Sequence, residues 1–423
     1  MNKPAFAFPL WRKILRCIAM ASGLFALLAG SCAWAGMDEG VQAYAKKDYA
    51  NALIEFTFLA EQGNAVAQNK LGVMHTNGEG VPKSFAEALK WFRLAAKQGD
   101  AKAQFNLGLM YAQGDGVGQS NAEAVKWYKL AAEQGVAQAQ FNLGLMLERG
   151  RGVAPNSVEA AKWYRLSAQQ GYPQAQFKLG VMYAQGDGVR PDDVAAAQWF
   201  RLAADQGYAS AQANLGNVYF LGRGVTQNDA EAVKWYKLAA EQGVIDSQSD
   251  LAYMYIDGRG VAQNYAEAVK WLRLAAEKGV ADLQFNLGLI YAQGEGVPQD
   301  NAEAVKWFRL AAAQQIPAAH TGLGVMYARG DGVAQNYVEA VKLFRLGAEQ
   351  GVPQAQANLG VMYARGRGVP QDDVEAYKWL SLAAAHGEAG AKDLLEKRAS
   401  HMTQNQIAKA QGAARFWRER LGR

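Results

Sequence analysis

The sequence predicts an all-α protein, a solenoid of antiparallel helix pairs with a period of 36 residues, and three observations favour this fold class. Tryptophan recurs every 36 residues from Trp91 to Trp307 and again at Trp379. A Gly-x-Gly pair recurs nine times at the same period, from residues 78–80 to 366–368. Small and apolar residues follow helical spacing on both sides of each pair. Because one helix pair cannot bury both of its faces, stability must come from stacking on neighbouring pairs.

Composition excludes two classes of protein, and the repeat period then sets the boundaries of the predicted parts. Of the 423 residues, 50% are hydrophobic and 11% are aromatic, which excludes a disordered chain. Only one long uncharged apolar stretch exists, near the N-terminus, and this excludes a polytopic membrane protein. The predicted parts are a signal peptide at 1–35, a divergent first repeat at 36–63, nine repeats at 64–387 and C-terminal capping helices at 388–423.

Residues 1–35 have the features of a removable export signal. An uncharged apolar stretch begins at Cys17 and ends at the small-x-small sequence 33–35, which signal peptidase would cleave. Two alternatives stay open, a lipoprotein anchored through Cys32 and an uncleaved signal anchor. We therefore expect a periplasmic or secreted protein. The stretch is preceded by four basic residues and no acidic one: Lys3, Arg12, Lys13 and Arg16.

Removal of this segment changes what the composition means. The whole chain carries 44 basic and 39 acidic residues, a net charge of +5, and cleavage removes four of the basic ones. The mature chain is then nearly neutral, which gives no reason to expect an acidic partner. Both cysteines, Cys17 and Cys32, lie in the removed segment, so the mature chain has neither a disulfide nor a cysteine-based metal site.

Each repeat is predicted to contain two helices that flank the Gly-x-Gly turn, as residues 100–135 illustrate. Helical spacing predicts a first helix of about 14 residues, which Gly114 and Gly116 end because glycine adopts turn conformations readily. Gly108 removes a side chain where the two helices approach each other. The residues expected to pack across the pair are Leu107 and Tyr111 on the first helix and Trp127, Leu130 and Ala131 on the second.

The second helix of each repeat begins at a residue suited to a helix N-cap. Ser120 starts this helix in residues 100–135, and Glu123 follows three residues later, which predicts a reciprocal capping box. Glutamate fills that third position in eight of the nine repeats, with Ala195 as the exception. The N-cap slot holds only Asp, Ser or Asn: Asp48, Ser84, Ser120, Asn156, Asp192, Asn228, Asn264, Asp300, Asn336 and Asp372.

The sequence offers no constellation for catalysis, a metal or a cofactor, and we expect a protein that is not an enzyme. The Gly-x-Gly pair does not match a phosphate-binding loop, and its middle residue alternates between acidic and arginine, which indicates a solvated position. Lys126 and Lys129 alternate with Glu123 and Glu133, a mixed helix face that does not favour nucleic acid. The histidines lack metal-ligand spacing: His75, His320, His386 and His401.

The repeated pattern Ala-Gln-x-x-Leu-Gly-x-x-Tyr-x-x-Gly-x-Gly-Val, followed by Glu-Ala-x-Lys-Trp-Tyr/Phe-x-Leu-Ala-Ala-x-x-Gly, resembles the Sel-one-like repeat, a relative of the tetratricopeptide repeat. The resemblance implies a right-handed α/α superhelical solenoid that acts as an adaptor for other proteins, in envelope regulation, assembly or host interaction. Some cysteine-rich exported relatives have been linked to β-lactam binding. This chain lacks their cysteine pairs, so that activity is not carried over to it. A protein that binds cell-wall fragments, or binds or hydrolyses β-lactams, is kept as the alternative because exported relatives have been so described.

The candidate binding residues occupy variable positions on one face of the first helices. In tetratricopeptide-like stacks the first helices line the concave surface, so this face is predicted to bind a protein or peptide. The alternative is that its phenylalanines pack between neighbouring helices. We expect a monomer, because the divergent first repeat and the tail would cover the ends of the stack. The candidates are Phe105, Leu109, Phe141, Leu145, Phe177, Val181, Asn217, Tyr253, Phe285 and Leu289.

Two repeats depart from the pattern. Residues 244–279 have Ala252 in place of glycine and a polar Ser-Gln-Ser-Asp run at 247–250. Residues 316–351 follow Gln315 where other repeats have glycine, and they contain Leu343 in the tryptophan slot, Gly347 in an alanine slot and His320 in a glutamine slot. These changes indicate either drift in a tolerant stack, or a local change of curvature or a second contact site.

Overall fold

The computed structural model describes residues 36–421, and all regular secondary structure in that range is α-helical. The predicted signal peptide at 1–35, with Cys17 and Cys32, lies outside the described residues. The chain forms two compact units, an N-terminal unit that ends at Tyr208 and a C-terminal unit that begins at Ala209. Between residues 36 and 421, no helix combines the length and the apolar character needed to cross a membrane.

The N-terminal unit is a series of helix pairs in which each helix contacts the next one along the chain. The divergent first repeat contains α1 (36–45) and α2 (Tyr49–Glu61). The first helices of the following repeats are α3 (Ala65–Asn77), α5 (Ala101–Gln113), α7 (Ala137–Arg149) and α9 (Pro173–Gln185). Their second helices are α4 (Phe85–Lys97), α6 (Asn121–Glu133), α8 (Ser157–Gln169) and α10 (Asp193–Asp205).

The C-terminal unit repeats this arrangement five times and ends in two further helices. Its first helices are α11 (Ala209–Leu221), α13 (Ile245–Asp257), α15 (Ala281–Gln293), α17 (Pro317–Arg329) and α19 (Pro353–Arg365). Its second helices are α12 (Asp229–Glu241), α14 (Tyr265–Ala276), α16 (Asn301–Ala313), α18 (Tyr337–Glu349) and α20 (Asp373–Ala385). The tail forms α21 (Ala391–Ala399) and α22 (Gln404–Leu421).

The two glycines of each turn have different functions. Gly114 caps the C-terminus of α5 in the left-handed conformation, with φ of 82°, and its N–H donates to the carbonyl of Met110 at 2.8 Å. Gly116 also has positive φ, and a Cβ there would lie 2.7 Å from the backbone carbonyl of Phe85 in the preceding repeat. The prediction that this pair ends the first helix is confirmed. The second glycine is required in addition because the turn packs against the start of the preceding second helix.

The predicted N-caps are confirmed, but the reciprocal half of the capping box is wrong. Ser120 accepts a hydrogen bond from the N–H of Glu123 at 3.3 Å. The N–H of Ser120 itself donates to the carbonyl of Tyr111 at 2.8 Å, so it is not available to the glutamate. Glu123 instead accepts from Lys126 one turn later, at 2.5 Å. The same lysine–glutamate pairing recurs in seven other repeats.

In each of the nine repeats except 244–279, which has Ala252, an aromatic or leucine side chain of the second helix packs against a glycine of the first helix. Leu107 is buried, and a Cβ on Gly108 would lie 2.6 Å from the ring of Tyr128, so the predicted close approach is confirmed. The expectation that Leu130 packs across the pair is wrong, because its side chain is 43% exposed. Trp127 is half-buried and packs on a core formed by the preceding repeat together with Leu107 and Met110 of its own first helix. The residues of α6 that face inward are Ala124, Tyr128, Ala131 and Ala132.

The C-terminal helices pack against α20, where the first helix of a further repeat would lie. Trp417 packs against Trp379 in a tilted arrangement with ring centroids 5.3 Å apart, and Ala414 is buried beside them. From α21, Arg398 donates to Asp373 at 2.7 Å and to the carbonyl of Ala364 at 3.1 Å. This arrangement covers the apolar side of α20.

Candidate binding face of the first helices

In the N-terminal unit, the six candidate residues form a half-buried apolar row along α5, α7 and α9. Phe105 contacts the ring of Tyr128 on its own second helix, with centroids 6.0 Å apart. Phe141 lies between two tyrosines, 5.7 Å from Tyr164 and 5.3 Å from Tyr172 of the next repeat. The half-buried residues are Phe105, Leu109, Phe141, Leu145, Phe177 and Val181.

These contacts give the phenylalanines two roles. Phe177 repeats the geometry of Phe141, with its ring 5.9 Å from Phe200 and 5.4 Å from Tyr208. One side of each ring therefore packs on the second helix and, at Phe141 and Phe177, on the first residues of the next repeat. The rest of each side chain reaches solvent. The same phenylalanines therefore pack between helices and form part of an apolar row on the surface.

In the C-terminal unit, the candidate face becomes partly polar. Phe285 packs on Phe308 at 5.8 Å, and Leu289 is half-buried as its counterparts are. Asn217 and Tyr253 are exposed, and Asn217 accepts a hydrogen bond from the hydroxyl of Tyr236 at 2.7 Å. The hydroxyl of Tyr253 accepts from the side-chain amide of Asn286 at 2.8 Å.

The surface of residues 36–421 includes a cleft in each unit. One of about 310 Å³ opens beside Asn217 and Tyr253, and thus contains two of the candidate residues. A larger groove of about 600 Å³ lies between α8 and the turn at 188–192, and no candidate residue lines it. Within residues 36–421, no group of three or more His, Cys, Asp or Glu is placed to hold a metal ion.

Each unit contains a track of buried glutamines, whose role the repeat pattern alone was not taken to indicate. The side-chain amide of Gln104 donates to the carbonyl of Ala96 in the preceding repeat at 3.3 Å, and its oxygen accepts from Gln134 at 2.8 Å. The signal was available, because glutamine recurs at both positions every 36 residues. The same pairing joins Gln68 to Gln98, Gln140 to Gln170, Gln176 to Gln206, Gln212 to Gln242 and Gln284 to Gln314.

The glutamine track is interrupted in the two irregular repeats. The position that should donate to Gln248 holds Lys278, and the side-chain oxygen of Gln248 is buried without a hydrogen-bond partner. In the second irregular repeat, His320 occupies the position equivalent to Gln248, and its Nδ1 is likewise buried without a hydrogen-bond partner. Burial lowers the pKa of His320, so this imidazole stays neutral more readily than an exposed one.

The second helices carry another apolar row, which was not among the predicted binding residues. Leu130 belongs to it, and the equivalent leucines of seven other repeats are also exposed, so that the eight range from 36% to 48%, whereas Leu382 of the last repeat is buried. In the N-terminal unit the row consists of Leu94, Leu130, Leu166 and Leu202. In the C-terminal unit it consists of Leu238, Leu274, Leu310 and Leu346.

The chain matches the model of the Sel1 repeat, the family that its sequence pattern resembles. The matched segments are residues 65–100, 101–136, 137–172, 173–208, 209–244, 245–280, 281–315, 317–352 and 353–388. No curated protein matches the chain.

Two solved structures are similar in both sequence and fold. A protective antigen present in uropathogenic Escherichia coli strains, which displays an SLR fold, is 33% identical over 92% of each chain, with a TM-score of 0.62. A Sel1 repeat protein from Oxalobacter formigenes is 36% identical over 73% of this chain and 89% of its own, with a TM-score of 0.52. With nine matched repeats and this structural similarity, the chain belongs to the Sel1 repeat family and has its helical solenoid fold.

Proposed function

We propose that the protein is an exported, non-enzymatic scaffold that binds other proteins or peptides on the first-helix face of its repeats. The observation that carries the proposal is the row of half-buried aromatic and aliphatic side chains on α5, α7 and α9. Its phenylalanines are held in place by ring contacts, and all of its side chains are partly exposed. Rigid, partly exposed apolar side chains are the typical anchors of peptide-binding grooves.

Export and a role in envelope regulation, assembly or host interaction are part of the same proposal. The basic, apolar and small-x-small succession at 1–35 supports export. One relative is described as a protective antigen, which favours a location outside the cytoplasm for this chain too. Mass spectrometry of the protein from producing cells should find a mature N-terminus at Gly36. A lipid on Cys32 would instead support the anchored alternative, and a retained Met1 would contradict cleavage.

Site-specific photo-crosslinking tests the binding face. A photoreactive phenylalanine analogue at Leu145 or Leu289 should crosslink partner proteins in an envelope extract. The same analogue at Lys162 is the matched control, because its side chain lies on the second helix α8, is 63% exposed and pairs with Glu159. A third position, Leu166, reports on the leucine row of the second helices.

Each outcome has a distinct meaning. Crosslinks at Leu145 and Leu289 that are absent at Lys162 support the proposal. Crosslinks confined to Leu166 would move the interface to the second helices and contradict it. Saturable calorimetric binding of muropeptides or β-lactams, with no protein crosslinked at any position, would favour the alternative function.

A further inference from the structure

The cleft beside Tyr253 contains a carboxylate without a partner. It lies in the C-terminal unit between α11, α12 and α13, has a volume of about 310 Å³, and is lined in part by Phe220, Tyr236, Asp250, Tyr253 and Arg259. Asp250 is half-buried and makes no hydrogen bond or ion pair with any residue between 36 and 421. We call this site the Asp250 cleft.

The one cation in the lining of the Asp250 cleft is already neutralised. Arg259 donates to both carboxylate oxygens of Asp229, at 3.1 and 3.2 Å, and its guanidinium lies over the ring of Phe220, 4.3 Å from the centroid. It therefore does not balance Asp250. Burial, with a smaller contribution from the nearby Asp246, raises the pKa of Asp250 to about 6. The carboxylate is thus poorly stabilised in its ionised form.

An earlier repeat shows what fits at this position. Lys178 occupies the slot of Asp250, and its ammonium lies 2.8 Å from the carboxylate of Glu148, with both side chains about one quarter exposed (26% and 25%). Glu148 also accepts a hydrogen bond from the hydroxyl of Tyr164. Burial by itself raises the pKa of Glu148, but these two donors outweigh it and hold that pKa below its ordinary value. The corresponding residues, 72 positions later, are Asp250, Phe220 and Tyr236.

Across the nine repeats, the position equivalent to Asp250 holds lysine twice and an acidic residue once. Lys70 occupies it in the first of the nine repeats, with its ammonium over the ring of Tyr44. Asp250 is the single acidic residue at this slot. Its other occupants are asparagine or glycine: Asn106, Asn142, Asn214, Asn286, Gly322 and Asn358. The charge that the fold itself places between neighbouring first helices is therefore reversed here, and no residue between 36 and 421 supplies its counter-ion.

We propose that the Asp250 cleft binds the side chain of a lysine from a protein partner. The ammonium meets the carboxylate of Asp250, as that of Lys178 meets Glu148, and the aliphatic stem lies along Phe220 and the exposed ring of Tyr253. The exposed Asp257 at the cleft adds a second negative charge that attracts the cation. This inference rests on the proposed scaffold function and names the chemistry that the first-helix face recognises there.

Short peptides provide a direct probe. An acetylated Gly-Gly-Lys-Gly-Gly amide should shift the NMR signals of Tyr253 and Asn217. Its dissociation constant should be at least tenfold lower than that of the same peptide with norleucine, a difference of about 1.4 kcal/mol. Asp250→Asn should abolish this preference. The control Asp282→Asn changes an exposed acid on α15 and should leave it intact.

A double variant separates loss of binding from loss of folding. Phe220→Glu with Asp250→Lys rebuilds the ion pair of Glu148 and Lys178, so the chain should fold and its own lysine should block the peptide. Equal binding of the lysine and norleucine peptides, or unchanged binding by Asp250→Asn, would overturn the inference. Butylamine binding as tightly as the peptide would overturn the assignment to a protein ligand.

The inference and the scaffold proposal can fail separately. A partner that crosslinks at Leu145 and Leu289 but binds Asp250→Asn unchanged would refute the lysine site and leave the scaffold function standing. Lysine-peptide binding that depends on Asp250, without any protein partner crosslinked, would support the cleft and refute the broader scaffold proposal.

Discussion

Gln315 adopts a backbone conformation that its side chain disfavours, and replacing it with glycine should stabilise the protein. Its φ is +64°, and Lys47 is the one other non-glycine residue between 36 and 421 with positive φ. The equivalent position at Gly135 has φ of +86°. The helix-ending bonds are the same, since the N–H of Gln315 donates to Ala312 at 2.9 Å and that of Gly135 donates to Ala132 at 3.0 Å.

The magnitude follows from two opposing terms. An L-residue in the left-handed region costs roughly 1–2 kcal/mol because Cβ approaches the following carbonyl. Replacement by glycine also costs about 0.5–1 kcal/mol, because glycine raises the conformational entropy of the unfolded chain. The side chain of Gln315 is exposed, so little other contact energy is lost. We expect Gln315→Gly to raise the free energy of unfolding by about 1 kcal/mol.

Urea denaturation and amide hydrogen exchange measure this effect at two scales. Repeat proteins can unfold in parts, so the urea midpoint should be followed by tryptophan fluorescence and by far-UV circular dichroism. Exchange of the amides at the end of α16 should slow about fivefold if the local gain is near 1 kcal/mol. Gln314→Gly is the matched control and should destabilise, because Gln314 has negative φ and donates to Gln284. An unchanged or lower midpoint for Gln315→Gly would refute the strain argument.

Three further predictions concern packing and charge. Gly108→Ala should lower the free energy of unfolding by about 1–3 kcal/mol, because its Cβ would lie 2.6 Å from the facing tyrosine ring, whereas Gly118→Ala, with nothing within 4 Å, should not. Phe141→Ser should cost about 1–3 kcal/mol and Leu130→Ser less than about 1 kcal/mol by urea denaturation, since the first is packed between two rings. Burial and Asp246 raise the pKa of Asp250 from 3.8 to about 6 in the folded chain, so the folded state binds its proton more tightly in that window. Stability should therefore fall as pH rises from about 4 to 6, and Asp250→Asn should remove that slope in pH-dependent urea midpoints.

Repetition made local structure predictable. The N-caps and the turn glycines recur in nearly every repeat, and each depends on hydrogen bonds or backbone angles within a few residues. The choice between Trp127 and Tyr128 as the inward ring could not be made in this way. Both are aromatic and adjacent, and Trp127 is half-buried against a core that combines the preceding repeat with its own first helix, whereas Tyr128 is buried.

The candidate site was predictable in part for the same reason. Helical spacing placed the phenylalanines on one face, but their depth depends on residues such as Tyr172, at the start of the next repeat. The unpaired state of Asp250 was also hidden, because it follows from the residue 30 positions earlier, Phe220, where another repeat has an acid that binds a lysine. Contacts between repeats determine how deeply a side chain is buried and whether its charge is paired. The spacing of residues within one repeat does not predict those contacts.

The glutamine track should allow whole repeats to be removed from or added to the N-terminal unit without loss of its buried hydrogen bonds. Each buried amide contacts residues 8 positions before it and 30 positions after it, and both distances fit within the repeat period. Excision of residues 100–135 would bring the amide of Gln140 to the carbonyl of Ala96 in the geometry it now has with Ala132. Recombination between such copies can therefore shorten or lengthen the protein without leaving a buried amide unsatisfied, and so change the number of side chains offered to a partner in whole steps.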